Sequence, residues 1–156
     1  MRLVRTNPDD PDFSRLVRAL DAELRAMYGE AQDSYSPLNT LAADTACLVV
    51  FSGEQPVATG AFRAFASSAE LAVPARAEVK RMFVVPAERG RGIARALLSE
   101  LEAWARERGM RELVLETGPE QKAAMALYER AGFARTPNFG PYVGMPLSVC
   151  YAKSLT

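Results

Sequence analysis

A short run of glycine and arginine in the middle of the chain has the residue types needed to bind phosphate groups. Residues 89–92 read Arg-Gly-Arg-Gly shortly after an apolar run that ends at Val85, and Arg95 follows closely. Glycine lets bare backbone approach a ligand, and the first turn of a helix offers unpaired N–H groups with a partial positive charge. These features predict a polyphosphate site, while the glycine pair taken alone is also compatible with an ordinary surface turn.

Two well-known nucleotide-binding motifs do not fit this run. A Walker P-loop ends in a Lys-Ser/Thr pair, which is missing here. A dinucleotide fingerprint needs a third glycine, and none follows Gly90 and Gly92 at the required spacing. Nucleotide binding through this turn is therefore the weaker alternative.

Composition limits the chemistry available elsewhere. The 156 residues include no histidine, which removes the commonest general base and most transition-metal sites. Cys47 and Cys150 lie among apolar residues without metal-ligand spacing, so we expect two buried thiols in strands and no metal. Lys plus Arg and Asp plus Glu number 19 each, so no net charge draws the protein to nucleic acid or membrane. Catalysis would have to use carboxylates, tyrosine, backbone groups or a cofactor.

The apolar pattern predicts the elements that would position these groups. The first half is expected to contain a strand at 3–5, a helix over 13–28, a loop over 30–44, paired strands at 45–51 and 57–65, and a linker over 66–77. The second half is expected to contain strands at 78–85, 112–117, 133–135 and 148–153, with helices over 93–109 and 119–132. This order predicts a mixed α/β sheet in one domain over residues 1–156. The chain shows neither a signal-peptide pattern nor a long apolar run, so a cytoplasmic location is expected.

Two motifs in the second half resemble those of one enzyme family. Residues 89–94, Arg-Gly-Arg-Gly-Ile-Ala, match the acetyl-CoA signature Arg/Gln-x-x-Gly-x-Gly/Ala of the GNAT superfamily of N-acetyltransferases. Residues 127–133, Leu-Tyr-Glu-Arg-Ala-Gly-Phe, resemble the family's Leu-Tyr-x-x-x-Gly-Phe element at the usual distance. The resemblance is strong over residues 78–135 and weaker before them. It implies a GNAT-type mixed, mostly antiparallel central sheet of about six to seven strands, flanked by about four helices.

The resemblance also implies the activity, which is transfer of an acetyl group from acetyl-CoA to a primary amine of a small molecule or a protein. The cofactor contacts that it implies are Met82, Phe83, Val84, Arg89, Gly90, Arg91, Gly92, Ile93, Ala94, Arg95 and Gln121. The backbone of residues 82–84 would pair with the pantetheine arm, and an N–H near Val84 would stabilise the oxyanion. Backbone N–H groups of residues 89–95 would hold the pyrophosphate. Gln121 stands where many relatives carry Asn, and Tyr128 would protonate the leaving thiolate.

A proton acceptor is also needed, because an amine with a pKa near 10 is only about one part in a thousand neutral at pH 7. Glu78 is the candidate base, acting directly or through water. A solvated surface carboxylate and an anchor for the substrate amine are its alternatives, and core packing is the alternative for Tyr128. Tyr28, Tyr35 and loop 30–44 lie where the family builds its acceptor wall. A non-catalytic acyl-CoA sensor is the alternative function, and a homodimer is compatible with the family.

Overall fold

The computed structural model describes residues 1–65 and 75–156, and the predicted linker falls largely on residues 66–74, outside the described residues. The strands are β1 (Arg2–Thr6), β2 (Ala46–Ser52), β3 (Gln55–Phe65), β4 (Arg76–Val84), β5 (Glu112–Thr117), β6 (Ala134–Thr136) and β7 (Val149–Ser154). The α-helices are α1 (Pro11–Tyr28), α2 (Ile93–Glu107) and α3 (Lys122–Arg130). Short 3-10 segments at Gly29–Ser34, Ser36–Asn39, Pro86–Glu88 and Gly140–Tyr142 complete the described elements.

One seven-stranded sheet runs through the molecule in the order β1-β2-β3-β4-β5-β7-β6. Every neighbouring pair is antiparallel except β4 and β5, which are parallel. The prediction of a mixed, mostly antiparallel α/β sheet is therefore confirmed. Within the described ranges three α-helices accompany it, close to the expected four, because the 30–44 loop forms 3-10 turns.

The two faces of the sheet are covered by different helices. Helix α1 begins at the Asp10 cap, whose carboxylate accepts hydrogen bonds from the N–H groups of Asp12 and Phe13. Its apolar stripe packs on one face of the sheet, in a cluster that includes Cys47 and Phe83. The stripe of α2 packs on the opposite face together with α3. Cys47 and Cys150 are both buried in strands, as predicted, and burial raises the pKa of both thiols.

Helix α3 begins at Lys122, three residues after the predicted start at Pro119. The side chain of Gln121 explains the delay, because its Oε1 accepts a hydrogen bond from the Gly118 N–H at 2.9 Å. The Gln121 N–H in turn donates to the Gly118 carbonyl at 3.0 Å. This closed turn orients the end of β5 before the helix can start.

The sheet opens between β4 and β5, and this opening determines where a ligand can enter. The two strands pair only over residues 76–79 and 112–115, after which β4 continues with β3 and β5 with β7. A bulge in β4 places Arg81 and Met82 opposite Gly60, and Arg81 adopts a left-handed φ of 59°. A Cβ at position 60 would lie 2.8 Å from the Met82 sulfur, so any other residue there would displace the Met82 side chain. Asp21 of α1 and the Val17 carbonyl hold the Arg81 guanidinium at the bulge.

Candidate active site

A groove of about 620 Å³ lies where β4 separates from β5. Its volume is within the range of roughly 300–1,000 Å³ that is common for small-molecule and cofactor sites. Its walls are one side of α1, the end of β4, the start of α2 and helix α3 with the residues just before it. Among the predicted cofactor contacts, the lining residues are Met82, Phe83, Val84, Arg89, Gly90, Gly92, Ile93, Ala94, Arg95 and Gln121. Arg91 does not line the groove, because its guanidinium pairs with Glu88 at 3.2 Å on the surface.

The start of α2 presents unpaired backbone N–H groups to this groove. Gly92 is the N-cap with a left-handed φ of 78°, and no side chain caps the helix. The Ala96 N–H is bonded to the Gly92 carbonyl at 3.1 Å, so the N–H groups of Ile93, Ala94 and Arg95 precede this bond. A glycine at position 92 allows the turn without strain and leaves the helix start uncovered.

The arginines around this turn have separate surroundings. The Arg89 Nε donates to the Val84 carbonyl at 2.8 Å, and its guanidinium pairs with Glu23. Arg89 therefore fixes the end of β4 and the turn to each other. Arg95 is exposed at the groove and forms no ion pair with any other residue in the described ranges. Arg95 is the side chain of the three that is available to a bound anion.

The backbone of β4 turns N–H groups toward the groove. The Val85 N–H donates to the Val57 carbonyl of β3 at 2.9 Å. Because successive N–H groups of a strand point to opposite sides, those of Val84 and Met82 face away from β3, toward the opening beside β5. The N–H near Val84 that the resemblance implied is therefore turned toward the groove.

A second, smaller cavity of about 90 Å³ lies on the α1 side of the opening between β4 and β5. Its charged and hydroxyl-bearing lining residues are Tyr28, Tyr35, Glu78, Lys80, Arg81, Glu116, Thr117, Tyr128 and Tyr142. Leu20, Met82, Gln121 and Tyr128 line both the groove and the cavity. The two spaces therefore meet at Tyr128, and we call this place the junction.

Tyr128 combines a buried ring with access to both spaces. It is 5% exposed, and its ring contacts Phe133 and Tyr151 with centroid distances of 5.8 and 6.1 Å. The alternative of core packing therefore holds for its ring. The residue also lines both the groove and the cavity, which core packing does not explain. Burial raises the pKa of Tyr128, so the phenol is protonated at neutral pH and can donate a proton or hydrogen bond.

Glu78 is deeply buried, with 1% of its surface exposed, so the alternative of a solvated surface carboxylate is wrong. The Tyr142 hydroxyl donates to its Oε2 at 2.6 Å, and the Lys80 ammonium donates to the same atom at 3.3 Å. Arg63 approaches Oε1 at 3.7 Å, a distance too long for a hydrogen bond. Glu78 is a fixed anion whose Oε1 has no hydrogen-bond partner among the described residues.

Lys80 is the cation that accompanies Glu78 in the wall of the cavity. Its ammonium also donates to the Leu38 carbonyl at 2.8 Å and to the Tyr142 hydroxyl at 3.2 Å, which occupies all three N–H donors. Burial lowers its pKa, and the Coulombic attraction of Glu78 opposes this effect. Lys80 thereby connects β4, which lines the cavity, to the 3-10 segment Ser36–Asn39.

Glu116 is a candidate residue that sequence reasoning missed. It is half-buried at the end of β5, and the Ser148 hydroxyl donates to its Oε2 at 2.8 Å. Burial raises its pKa to about 7, while the Ser148 hydrogen bond and the Lys80 charge oppose the rise. The alternation of β5 contained the signal: Leu113 and Leu115 face one side, so Glu116 projects from the other, where the strand ends.

The roof of the cavity includes the residues proposed for the acceptor wall. Tyr28 and Tyr35 both line it, as the resemblance implied. The Tyr28 hydroxyl accepts a hydrogen bond from the Glu120 N–H at 3.3 Å, and the Tyr35 hydroxyl accepts one from the Leu147 N–H at 3.1 Å. The segment after α1 is thus attached to the start of α3 on one side and to the chain before β7 on the other.

The model of the Acetyltransferase (GNAT) family matches residues 13–133, which include nearly all of α1, the glycine turn, both carboxylates and Tyr128. This chain is a member of the GNAT acetyltransferase family. It is therefore an acyltransferase enzyme, and the match extends across the first, weaker half of the resemblance. Tyr142, which lines the cavity in this GNAT protein, and Ser148, which donates a hydrogen bond to Glu116, lie beyond the matched range.

Similar proteins support this membership over almost the whole chain. An IAA acetyltransferase from Azospirillum brasilense is 36% identical over 154 residues, which are 98% of this chain and 97% of that protein. A structure described as an acyl-CoA N-acyltransferase from Klebsiella pneumoniae is 33% identical with a TM-score of 0.78, covering 99% of this chain and 97% of that one. The PaiA N-acetyltransferase from Thermoplasma acidophilum, solved in complex with coenzyme A, shares the fold with a TM-score of 0.70 at 16% identity, covering 99% of both chains.

Two kinds of feature are missing from the described part of the GNAT protein. Within residues 1–65 and 75–156, no helix combines the length and apolar character required to cross a membrane. In the same ranges, no three His, Cys, Asp or Glu side chains gather in a way that would hold a metal ion.

Proposed function

We propose that this GNAT enzyme, acting as one domain over residues 1–156, transfers the acetyl group of acetyl-CoA to a primary amine by direct attack in a ternary complex. The observation that carries the proposal is the junction, where a cofactor-sized groove meets a small cavity beside a protonated tyrosine and a carboxylate whose pKa is about 7. The groove would take the cofactor and the cavity would take the amine. Their meeting point would then hold the reacting atoms.

In the groove, the N–H groups at the start of α2 would bind the pyrophosphate, supported by the exposed Arg95. Met82 and Val84 would pair with the pantetheine arm through the N–H groups that face the opening. The Val84 carbonyl already accepts from Arg89, so at this residue the N–H is the group left for the ligand. The same N–H is suited to stabilise the oxyanion that forms when the thioester carbonyl is attacked.

The two carboxylates of the cavity have different surroundings, and this difference supports different roles. Glu78 is held by Lys80 and Tyr142, whereas Glu116 has a pKa of about 7 and stands close to protonation at neutral pH. A general base works best when its pKa lies near the working pH. Glu116 therefore fits the role of proton acceptor better than Glu78, the base expected from the sequence, and Glu78 fits the alternative role of fixed anion near the amine.

The proposed step balances as follows. Glu116 takes one proton from the ammonium, and the neutral nitrogen attacks the thioester carbon to form the C–N bond. The C–S bond then breaks with its electron pair going to sulfur, and Tyr128 donates a proton to the thiolate. The nitrogen loses a second proton to solvent, and solvent returns one proton to Tyr128. Glu116 then releases its proton to solvent, which regenerates the enzyme. One amide, one CoA thiol and one released proton result.

The size of the cavity suggests which end of an acceptor it takes. Its volume of about 90 Å³ is smaller than the roughly 150 Å³ of an apolar cavity that binds benzene. An aminoalkyl end of a small molecule or of a protein side chain would fit this space, and a bulky ring next to the amine would not. A panel of amines should therefore compare unbranched and α-branched chains of equal charge.

The test combines cofactor binding with turnover. Thermal unfolding with CoA, acetyl-CoA and ATP should show stabilisation by CoA and acetyl-CoA and none by ATP, because a ligand at 100 times its Kd adds about 2.7 kcal/mol. CoA release should then appear with unbranched primary amines. Stabilisation without turnover of any amine would favour a non-catalytic acyl-CoA sensor, and no stabilisation at millimolar CoA would refute the proposal.

A further inference from the structure

A chain of hydrogen bonds leads from Glu116 to the roof of the cavity. The Ser148 Oγ lies 2.8 Å from the Glu116 Oε2 and 3.3 Å from the Tyr35 hydroxyl oxygen. The Leu147 N–H donates to that same hydroxyl oxygen at 3.1 Å. These contacts join β5, the segment before β7 and the turn after α1, which are far apart in sequence.

The direction of the chain follows from the number of hydrogens. Ser148 has one hydroxyl hydrogen, and a hydrogen bond to a carboxylate is stronger than one to a neutral phenol. Ser148 therefore donates to Glu116, and Tyr35 donates its own hydroxyl hydrogen to the Ser148 oxygen. The Leu147 N–H occupies a lone pair of Tyr35, so each hydroxyl has a consistent donor and acceptor.

We propose that Ser148 and Tyr35 are positioning residues that hold the Glu116 carboxylate at the junction and connect it to the roof of the acceptor cavity. The inference rests on the proposed role of Glu116 as proton acceptor. Neither residue needs to touch the acceptor or the cofactor for this role. Both act through Glu116, one by a direct hydrogen bond and the other through the first.

The position of Tyr35 gives the chain a second function. Tyr35 lies between the 3-10 segments Gly29–Ser34 and Ser36–Asn39, and within this stretch Gln32 and Tyr35 line the roof of the cavity. The second segment is also bound to β4, because the Lys80 ammonium donates a hydrogen bond to the Leu38 carbonyl. The roof is therefore attached to both carboxylates, to Glu116 through Tyr35 and to Glu78 through Lys80. An acceptor that displaces the roof would alter the support of the base.

Other groups also act on Glu116 and must be counted in any pH experiment. The titratable groups around it are Glu78 and Lys80 of β4, Tyr28 of α1, Tyr35 of the roof, Tyr128 of α3, Tyr142 of the Gly140–Tyr142 turn and Cys150 of β7. Burial raises the pKa of Tyr28, Tyr128, Tyr142 and Cys150, which moves their titration further above pH 7. Because burial also lowers the pKa of Lys80, the transition that belongs to Glu116 is the one that disappears in Glu116→Gln.

The experiment replaces the two hydroxyls and follows Glu116 directly. Ser148→Ala and Tyr35→Phe are the test variants, Ser148→Thr restores a hydroxyl, and Ser154→Ala is the matched control on the exposed end of β7. Carbon-13 NMR titration of the glutamate carboxyls in the free protein measures Glu116, with Glu116→Gln identifying its resonance. The kcat/KM of an amine found by the panel is measured from pH 5.5 to 9.5.

We expect the Glu116 midpoint in Ser148→Ala to move about one unit to higher pH, because a charge-assisted hydrogen bond to the ionised form is lost. The kcat/KM should then fall about tenfold at pH 6 and stay nearly unchanged at pH 9. Ser148→Thr should restore the wild-type profile. Tyr35→Phe should produce a smaller shift in the same direction, together with a higher acceptor KM.

The inference and the proposed base can fail separately. An unchanged Glu116 midpoint in a folded Ser148→Ala protein overturns the inference. A shifted midpoint with an unchanged kcat/KM profile overturns the assignment of Glu116 as base, on which the inference depends. Should Ser148→Ala fail to fold, Tyr35→Phe decides: a shifted midpoint supports the chain of contacts, and an unshifted one overturns it.

Discussion

Replacing Glu116 by Gln removes the proposed proton acceptor with little change of shape. The amide oxygen of Gln can still accept the hydrogen bond that Ser148 now donates at 2.8 Å, so the local packing should persist. General base catalysis typically contributes a factor of about 10² to 10⁴. We expect kcat/KM at pH 8 to fall by that factor, with the affinity for CoA unchanged.

The pH profile gives the sharper part of this prediction. Because the pKa of Glu116 is about 7, about half of the carboxylate is ionised at pH 7 and about a tenth at pH 6. The wild-type kcat/KM should therefore decrease roughly tenfold per pH unit below 7. In Glu116→Gln this acidic limb should disappear, since the group that titrates is gone.

The assay is CoA thiol release, followed with a thiol-reactive dye or by direct separation of the products at the pH extremes. Glu112→Gln is the matched control on the same strand, where the carboxylate pairs with Arg76 at 3.3 Å outside the cavity. It should keep both its rate and its profile. A Glu116→Gln enzyme that retains more than about a third of wild-type kcat/KM, or that still shows a limb near pH 7, would refute the assignment.

Two further substitutions test the neighbours of Glu116. Glu78→Gln should lower the free energy of unfolding, measured in urea, by about 3–5 kcal/mol, because it leaves the buried Lys80 without its anion. The acidic limb of the kcat/KM profile near pH 7 should persist in this variant. Loss of that limb would instead identify Glu78 as the base. Tyr128→Phe should lower kcat by a factor of about 10² or more while CoA affinity and Tm stay close to wild type, since only the proton donor is removed. Unchanged turnover would show that Tyr128 contributes packing only.

Elements built from residues close in sequence were predicted well. Helix α1, the glycine turn before α2 and strand β5 depend on hydrogen bonds and side-chain spacing within a few residues. The groove followed from them, because the turn and the helix it opens are one continuous segment. The start of α3 was misplaced by three residues, since the closed turn made by the Gln121 side chain has no distinctive local pattern.

The acid-base part of the site depended on contacts that local patterns do not contain. Glu78 was left open as a surface carboxylate because its burial is produced by its neighbours in the sheet and by Tyr142, 64 residues away. Glu116 was overlooked because its Ser148 partner lies 32 residues further on, and Tyr35 lies 113 residues before Ser148.

The sequence by itself thus determined the family and the order of strands and helices, and it indicated the segment that we propose binds the cofactor. Only the tertiary structure showed that Glu116 is half-buried and that its pKa is raised to about 7. The physical reason is that a pKa depends on burial, hydrogen bonds and charges within a few ångströms, and here those neighbours come from elements that meet only when the sheet is assembled.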